Sequence, residues 1–169
     1  NWQCSNGINS LGCAMRPTAS SVDVAKFYGD LYEIFRTSDE IAYRYYEEKH
    51  TYAEMHECLL KINSVLGGRR NQQIVTYLDK SFSAYCTIYS VFLSGNTWVP
   101  LNTDMPDARL VDILSQLEPS LVLCNISVSD GVKTHLEKKG VECLDVREII
   151  QEHDRADFVG FDFEKDEIA

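Results

Sequence analysis

Residues 92–109, FLSGNTWVPLNTDMPDAR, constrain the fold most, because a helix end, a strand and a helix start follow one another there. Gly95 can adopt the left-handed conformation that ends a helix, residues 98–99 (Trp-Val) are typical of a half-buried strand, and Pro100 cannot donate to a strand ladder. Pro106 has the φ angle of a first helical turn. The segment is therefore predicted to run from a surface helix, through a sheet, and out into a second helix.

Hydrophobic periodicity and turn residues predict further elements on both sides of this junction. The strongest local signal is Thr51 followed by Glu54, a capping box in which the two residues satisfy each other's free backbone donors at a helix start. Predicted helices cover 21–35, 51–66, 82–93, 106–117, 132–139 and 147–152, and Asp79 and Ser81 are candidate caps for the helix at 82. Predicted strands cover 41–46, 74–78, 98–99, 121–124 and 141–146.

This order, one helix and then strand-helix units with short connections, predicts an α/β fold with a mainly parallel sheet and helices on both faces. Residues 1–21 are predicted to be a flexible N-terminal lead-in, residues 22–169 one α/β unit, and residues 153–169 a loop with aromatic anchors. Ligands of such sheets bind outside the carboxyl ends of the strands. The loops at 47–51, 79–81, 100–106 and 125–129 are therefore where chemistry is expected.

Charge and hydropathy exclude several classes of protein. The chain has 16 Lys and Arg against 26 Asp and Glu, a net charge of -10, which argues against nucleic acid or an anionic membrane as the main partner. No apolar run is long enough to span a bilayer, and the first ten residues lack the order of a secretory signal. We expect a cytoplasmic chain without a membrane span.

The residues that could carry chemistry are scattered. Six cysteines lie far apart and form no close metal-binding pair, so buried free thiols are favoured over disulfides or ligands. The run Gly67-Gly68-Arg69-Arg70 follows a helix and precedes a strand, the wrong end of the unit for a phosphate loop. Arg109 is expected to pair with Asp104 or Asp112 rather than with an anionic ligand. Asn125 begins a glycosylation sequon that is interpreted as a strand-exit turn.

Four motifs together resemble the opening part of the adenylate-forming, AMP-binding superfamily, which contains acyl-CoA synthetases, amino-acid adenylation domains and luciferases. They are TYAEM at 51–55, LSGNTWVPLN at 93–102 with Pro106 and Arg109-Leu110, SLVLC at 120–124, and DEIA at 166–169. The resemblance covers about residues 22–169. Asn96-Thr97 replace the usual small pair, and Thr103, where proline is common, leans toward amino-acid-activating members.

The resemblance implies an enzyme that activates a carboxylate with ATP and Mg²⁺, forms an acyl-adenylate, and transfers the acyl group to the thiol of CoA or a carrier protein. It also implies that this chain is an N-terminal fragment ending before the phosphate loop, inactive alone and partnered by the remainder of the ligase chain. No catalytic, cofactor-binding or metal-binding residue is therefore assigned in this sequence. An exposed apolar patch is expected where the missing part would pack.

Two other classes remain open from the sequence. One is a noncatalytic α/β protein-interaction module that docks a partner through its acidic surface. The other is a flavodoxin-like nucleotide-binding domain, which would need a glycine-rich turn directly after a strand. The sequence shows no such turn.

Overall fold

The computed structural model of the chain describes residues 21–152, with side chains from Lys26 onward. The helices are α1 Ser21–Thr37, α2 Tyr52–Leu66, α3 Phe82–Leu93, α4 Asp107–Leu117, α5 Asp130–Lys139 and α6 Val146–Glu152. The strands are β1 Ile41–Tyr45, β2 Glu48–Thr51, β3 Gln73–Tyr77, β4 Thr97–Pro100, β5 Leu121–Cys124 and β6 Glu142–Asp145. The predicted lead-in, apart from its last residue, and the predicted loop at 153–169 lie outside the described residues.

Four of these strands form the parallel sheet that the sequence predicts. Their order is β4-β3-β5-β6, and every neighbouring pair is parallel. Because parallel neighbours need a crossover, each strand is followed by a helix that packs back onto the sheet. The fold is the expected α/β arrangement, and it brings the ends of β3, β4 and β5 to one edge.

The predicted strand at 41–46 exists, but it does not belong to this sheet. β1 pairs antiparallel with β2 in a separate two-stranded hairpin, with Tyr45 opposite Glu48. β2 was not predicted, because the connecting turn is Tyr46-Glu47 rather than a glycine-containing pair, although Tyr46 adopts φ 52. The expectation that 47–51 is a loop after a strand of the parallel sheet is therefore wrong.

Successive side chains along the strands point to opposite faces of the sheet and pack into two hydrophobic cores, one on each face. Ile74, Leu121 and Leu123 join a cluster built with α1, α2, α3 and α6. Val75 and Val122 join the second cluster, with α4 and α5. Each fully buried aliphatic side chain contributes about 2 kcal/mol relative to an exposed one. Both faces are thus covered by helices, as predicted.

The local signals at helix ends form largely as expected. The capping box at α2 is complete: the Glu54 amide donates to Thr51 Oγ1 at 3.2 Å, and the Thr51 amide donates to Glu54 Oε2 at 2.7 Å. Gly95 adopts φ 72 just after α3. Ser81 occupies the N-cap position of α3 but makes no side-chain capping bond. That part of the cap prediction is wrong, because the Ser81 hydroxyl has other partners, described below.

Several large hydrophobic side chains are exposed, although not on a bare sheet face. They lie on α1, the hairpin and α3: Phe27, Ile34, Ile41, Tyr45, Tyr46 and Tyr85. The sequence placed the expected apolar surface on one side of the sheet. The structure places exposed apolar residues on the outer elements instead, because helices cover both sheet faces.

Candidate functional site at the carboxyl edge of the sheet

The side chain of Asn125 joins the loops that follow β3 and β5. It is 3% exposed. Its Oδ1 accepts from the Asp79 amide at 2.8 Å, and its Nδ2 donates to Asp79 Oδ1 at 2.6 Å and to Ser81 Oγ at 2.8 Å. The same nitrogen lies 3.3 Å from Ser83 Oγ. We call Asp79, Ser81, Ser83 and Asn125 the carboxyl-edge cluster; it holds the start of α3 against the end of β5.

This cluster lies where the winding of the sheet reverses. The chain leaves β3 through α3 and arrives on one side at β4, whereas it leaves β5 through α5 and arrives on the other side at β6. α3 and α5 accordingly pack on opposite faces. In open α/β sheets, ligands bind in the crevice at such a reversal. This edge is therefore the candidate functional site.

The predicted loop at 100–106 lies at the same edge. The Tyr77 hydroxyl, at the end of β3, donates to the Thr103 carbonyl at 2.9 Å, and the Asn102 side chain accepts from the Asp104 amide at 3.0 Å. The Trp98 side chain on β4 is held by a hydrogen bond to the neighbouring strand β3, because its Nε1 donates to Thr76 Oγ1 at 2.8 Å. Three of the four loops named from the sequence thus meet at the carboxyl edge.

A cleft of about 540 Å³ opens beside the carboxyl-edge cluster, between the hairpin, α2, the start of α3, and α6. The ring of His50 forms part of its wall and stacks on Phe82, with ring centroids 3.8 Å apart and planes 13° from parallel. His50 Nε2 lies 2.9 Å from Glu48 Oε1. The hairpin strand β2 therefore contributes to the neighbourhood of the site through this stacked ring, although it is not part of the sheet.

The charged groups near the cleft are already paired. Arg147 donates from its backbone amide and from Nε to Asp145 Oδ1, at 2.8 and 3.0 Å, and from Nη2 to Asp145 Oδ2 at 2.5 Å. The Arg147 hydrogen bonds are the main reason that the pKa of Asp145 is held below its ordinary value. Arg147 is thus engaged with a carboxylate of its own chain.

The side-chain amide of Asn125 is likewise satisfied within the carboxyl-edge cluster. Two amide hydrogens of Asn125 already face three oxygens, so this nitrogen has no hydrogen left for a ligand. No glycine-rich turn follows β3 or β5, and residues 26–152 contain no group of three His, Cys, Asp or Glu side chains placed to hold a metal ion. The described loops after β3 and β5 therefore lack the glycine-rich turn of a phosphate cradle.

The sequence located these loops but not their connection. The sequence pattern at Asn125 predicts only a strand-exit turn and gives no indication of the bond from its side chain to Asp79. The available signal is an asparagine placed directly after the wholly buried strand β5. Because the amide is buried and bonded within the protein, it is not presented as a glycosylation acceptor.

The other candidate residues have local partners. Arg109 Nη1 lies 3.8 Å from Asp112 Oδ2, which confirms the expected pairing. Arg69 donates to the carbonyl of Val65 and, at 2.8 Å, to Glu142, so it closes the end of α2 beside the amino edge of the sheet. The run that contains it is not a phosphate loop in the structure either.

The described histidines are not paired with a thiol in the manner of a nucleophile. His56 lies 3.2 Å from the Tyr32 hydroxyl, and His135 lies 3.2 Å from Ser115 Oγ. His153 lies outside the described residues.

Four cysteines lie among the described residues and all are free thiols: Cys58, Cys86, Cys124 and Cys143. Cys86 and Cys124 are buried, and Cys58 and Cys143 are half-buried. Burial is the main reason that the pKa of Cys86 is raised. The prediction of free thiols is confirmed for these four.

Asn96, which departs from the family pattern, belongs to the opposite edge of the sheet. Its Oδ1 accepts from the Gln72 amide at 3.2 Å, and its Nδ2 donates to the Arg69 carbonyl at 3.0 Å and to Ser94 Oγ at 2.9 Å. These bonds tie the loop before β3 to the turn before β4. This departure from the family pattern therefore lies at the amino edge, away from the candidate site.

Comparison with known proteins gives a family match over most of the chain. A family model described as "AMP-binding enzyme" matches residues 33–167. N-(5-amino-5-carboxypentanoyl)-L-cysteinyl-D-valine synthase of Amycolatopsis lactamdurans is 30% identical over 115 residues, which are 66% of this chain and 3% of that protein. The chain thus spans a small part of the length of this curated relative.

Solved structures share the fold. ATP-bound MatB of Rhodopseudomonas palustris superposes with a TM-score of 0.69 at 23% identity, over 82% of this chain and 30% of that one. The N-terminal subdomain of NpsA of Klebsiella oxytoca, in complex with 3-hydroxybenzoyl-AMSN, superposes with a TM-score of 0.61 at 19% identity, over 79% of this chain and 33% of that one.

Within residues 21–152, no helix has the length and apolar character needed to cross a membrane.

Proposed function

Because the chain belongs to the family of AMP-binding enzymes, we propose that it forms part of a ligase that activates a small carboxylate with ATP. In this reaction a carboxylate oxygen attacks the α-phosphorus of ATP, the bond to the β-phosphate oxygen breaks, and pyrophosphate leaves. The product is an acyl-adenylate. The acyl carbon is then attacked by the thiol of CoA or a carrier protein, and AMP leaves with the bonding electrons.

The observation that carries this proposal is the family match over residues 33–167. It is supported by the parallel sheet, whose reversal point lies at the carboxyl edge where substrates of such folds bind. The identity of the relatives does not select the carboxylate or the thiol. The proposal is accordingly limited to a carboxylate, ATP with Mg²⁺, and a thiol acceptor.

Within this proposal the described residues act as scaffold. The carboxyl-edge cluster fixes the loops after β3 and β5, and its polar atoms are bonded to one another, so we assign it a positioning role and name no catalytic residue. ATP and Mg²⁺ would be held by groups outside the described residues, supplied by the remainder of a longer ligase chain. When bound, Mg²⁺ would neutralise the phosphate charge that develops as pyrophosphate leaves. A reaction that consumes ATP and a carrier or CoA thiol is consistent with a cytoplasmic location, which we include in the proposal.

The test is isotope exchange between pyrophosphate and ATP, measured with panels of amino acids, aryl acids and short aliphatic acids. Two proteins are compared, the 169-residue chain and the product of the whole coding sequence. We expect carboxylate-dependent exchange from the second and none from the first. A reaction without added carboxylate is the control for each.

The outcomes distinguish the classes left open by the sequence. Exchange by the 169-residue chain would refute its proposed inactivity. A coding sequence that ends near Ala169, together with no exchange and no nucleotide binding, would refute the ligase proposal and leave the noncatalytic interaction module. Thioester formation is tested separately with CoA and with a pantetheinylated carrier protein. Exchange without thioester formation would refute only the proposed transfer of the acyl group to a thiol.

A further inference from the structure

Two thiols face each other on the neighbouring strands β5 and β6. Cys124 Sγ and Cys143 Sγ lie 4.0 Å apart, and both side chains are on the sheet face that carries α4 and α5. Cys124 is 6% exposed, whereas Cys143 is half-buried. A cleft of about 510 Å³, with Lys133 on its rim, opens beside both sulfurs. The pair is therefore accessible from one side and closed by protein on the other.

The strand register argues against a disulfide between them. Cys143 is the partner of Val122, and Cys124 is the partner of Asp145, so the two cysteines are diagonal neighbours two residues apart along the strands. With a rise of about 3.3 Å per residue and about 4.8 Å between strands, their Cα atoms are separated by about 8 Å. A disulfide needs a Cα separation below about 7 Å. The sulfurs could not close to bonding distance unless the central sheet shifted.

The same separation suits a single atom placed between the sulfurs. A metal–sulfur bond of about 2.3 Å, the value for zinc thiolates, spans 4.0 Å when the angle at the metal is about 120°. Thiolates select soft cations such as Cu(I). We propose that Cys124 and Cys143 form a two-thiolate site for a soft, thiophilic cation, with the third coordination position facing the cleft.

Binding at this site involves no electron transfer. Two S–H bonds lose their protons to solvent, and two metal–sulfur bonds form with Cu(I), which keeps its oxidation state. Within residues 26–152 no third His, Cys, Asp or Glu is placed to complete a metal cluster. The third ligand therefore comes from solution, as water or a small thiol. This site is on β5 and β6, and it requires neither ATP nor the proposed ligase reaction.

The test is Cu(I) binding under anaerobic conditions, in competition with a chromophoric Cu(I) chelator. The background protein is the 169-residue chain with Cys4→Ser, Cys13→Ser and Cys58→Ser, which leaves the buried Cys86 as the only cysteine besides the pair. The informative variant adds Cys143→Ser to this background. The matched control adds Glu148→Gln instead, because Glu148 is an exposed residue on the rim of the same cleft.

We expect the background protein to bind one Cu(I), and the Glu148→Gln control to bind it equally well. Loss of a group that only hydrogen-bonds to a metal ligand costs about 10- to 100-fold in metal affinity, so loss of a direct ligand by Cys143→Ser should cost about 100-fold or more. A loss smaller than about tenfold would overturn the proposal. X-ray absorption of the background complex, prepared without added thiol, needs no further variant: two sulfur neighbours support the site, and any other number overturns it.

Discussion

Replacement of Asn125 by alanine should show how much the carboxyl-edge cluster contributes to stability. The substitution removes three good hydrogen bonds, those with the Asp79 amide, Asp79 Oδ1 and Ser81 Oγ. At about 1 kcal/mol of net stability per bond, the loss is about 3 kcal/mol. Asp79 is exposed, so water replaces part of what its carboxylate loses. We therefore expect a destabilisation of about 2 kcal/mol, or a fall in Tm of about 6 °C for a chain of this size.

The assay is urea unfolding followed by circular dichroism, with the free energy of unfolding taken by linear extrapolation. Asn102→Ala is the matched control, because Asn102 is an exposed asparagine with one local bond, to the Asp104 amide. It should cost about 0.5 kcal/mol. If Asn125→Ala costs no more than this control at an unchanged m-value, the cluster does not hold the two loops together as argued.

Asn125→Asp should make the free energy of unfolding depend on pH through the same cluster. The introduced carboxyl keeps an acceptor for the Asp79 amide but brings a second negative charge to within hydrogen-bonding distance of the Asp79 carboxylate. Repulsion raises its pKa in the folded state above the unfolded value of about 3.9. The folded protein then binds more protons than the unfolded one, so stability falls as pH rises from about 4 toward the folded-state pKa. A variant whose stability is parallel to that of the parent between about pH 4 and 7 would contradict this geometry.

Substitutions at three further positions test other parts of the fold by the same unfolding measurement. Thr51→Ala should cost about 1 kcal/mol, and Thr51→Ser, which keeps the capping oxygen, should cost much less; equal losses would refute the capping role. Trp98→Phe should cost about 1 kcal/mol because it removes the donor to Thr76, and a neutral result would mean that this bond adds nothing. Arg147 lowers the pKa of Asp145 in the folded state, so the stability from that pair is present above about pH 3.9 and is lost as pH falls through the lower folded-state pKa. Asp145→Asn should lack this acid-induced loss, and identical pH profiles would contradict it.

The sequence predicted most of the elements because local and global preferences agree there. The helix predicted at 82–93 and the strand predicted at 121–124 have the observed bounds, α3 and β5. β5 is buried on both faces, and its four residues are all apolar, the composition expected of a central parallel strand. The capping box at α2 lies within five residues of sequence, so no tertiary information was needed to foresee it.

The errors arose where the partner lies elsewhere in the chain or where the turn residue is uncommon. β2 contains Glu48 and Lys49, which are poor strand formers, and its pairing depends on a positive φ at Tyr46. The bond from Asn125 to Asp79 joins residues 46 positions apart. Only the β3–β5 pairing brings them together, and a single sequence carries no direct signal of which parallel strands are neighbours.

A buried asparagine at each edge of the sheet holds a loop in place through hydrogen bonds to the protein itself, which is a structural role and not a catalytic one. At the amino edge, Asn96 bonds to the loop before β3, and at the carboxyl edge Asn125 bonds to the loop after it. Both side chains are over nine-tenths buried. A buried amide that keeps its bonds to its own backbone stabilises a loop, and exchanging those bonds for a substrate would expose the Asp79 or Gln72 amide unpaired, at about 1–3 kcal/mol. A group that contacts a ligand at the carboxyl edge without breaking these bonds would have to lie outside this cluster, so the proposed inactivity of the 169-residue chain and the integrity of its Asn125 cluster are separate measurements.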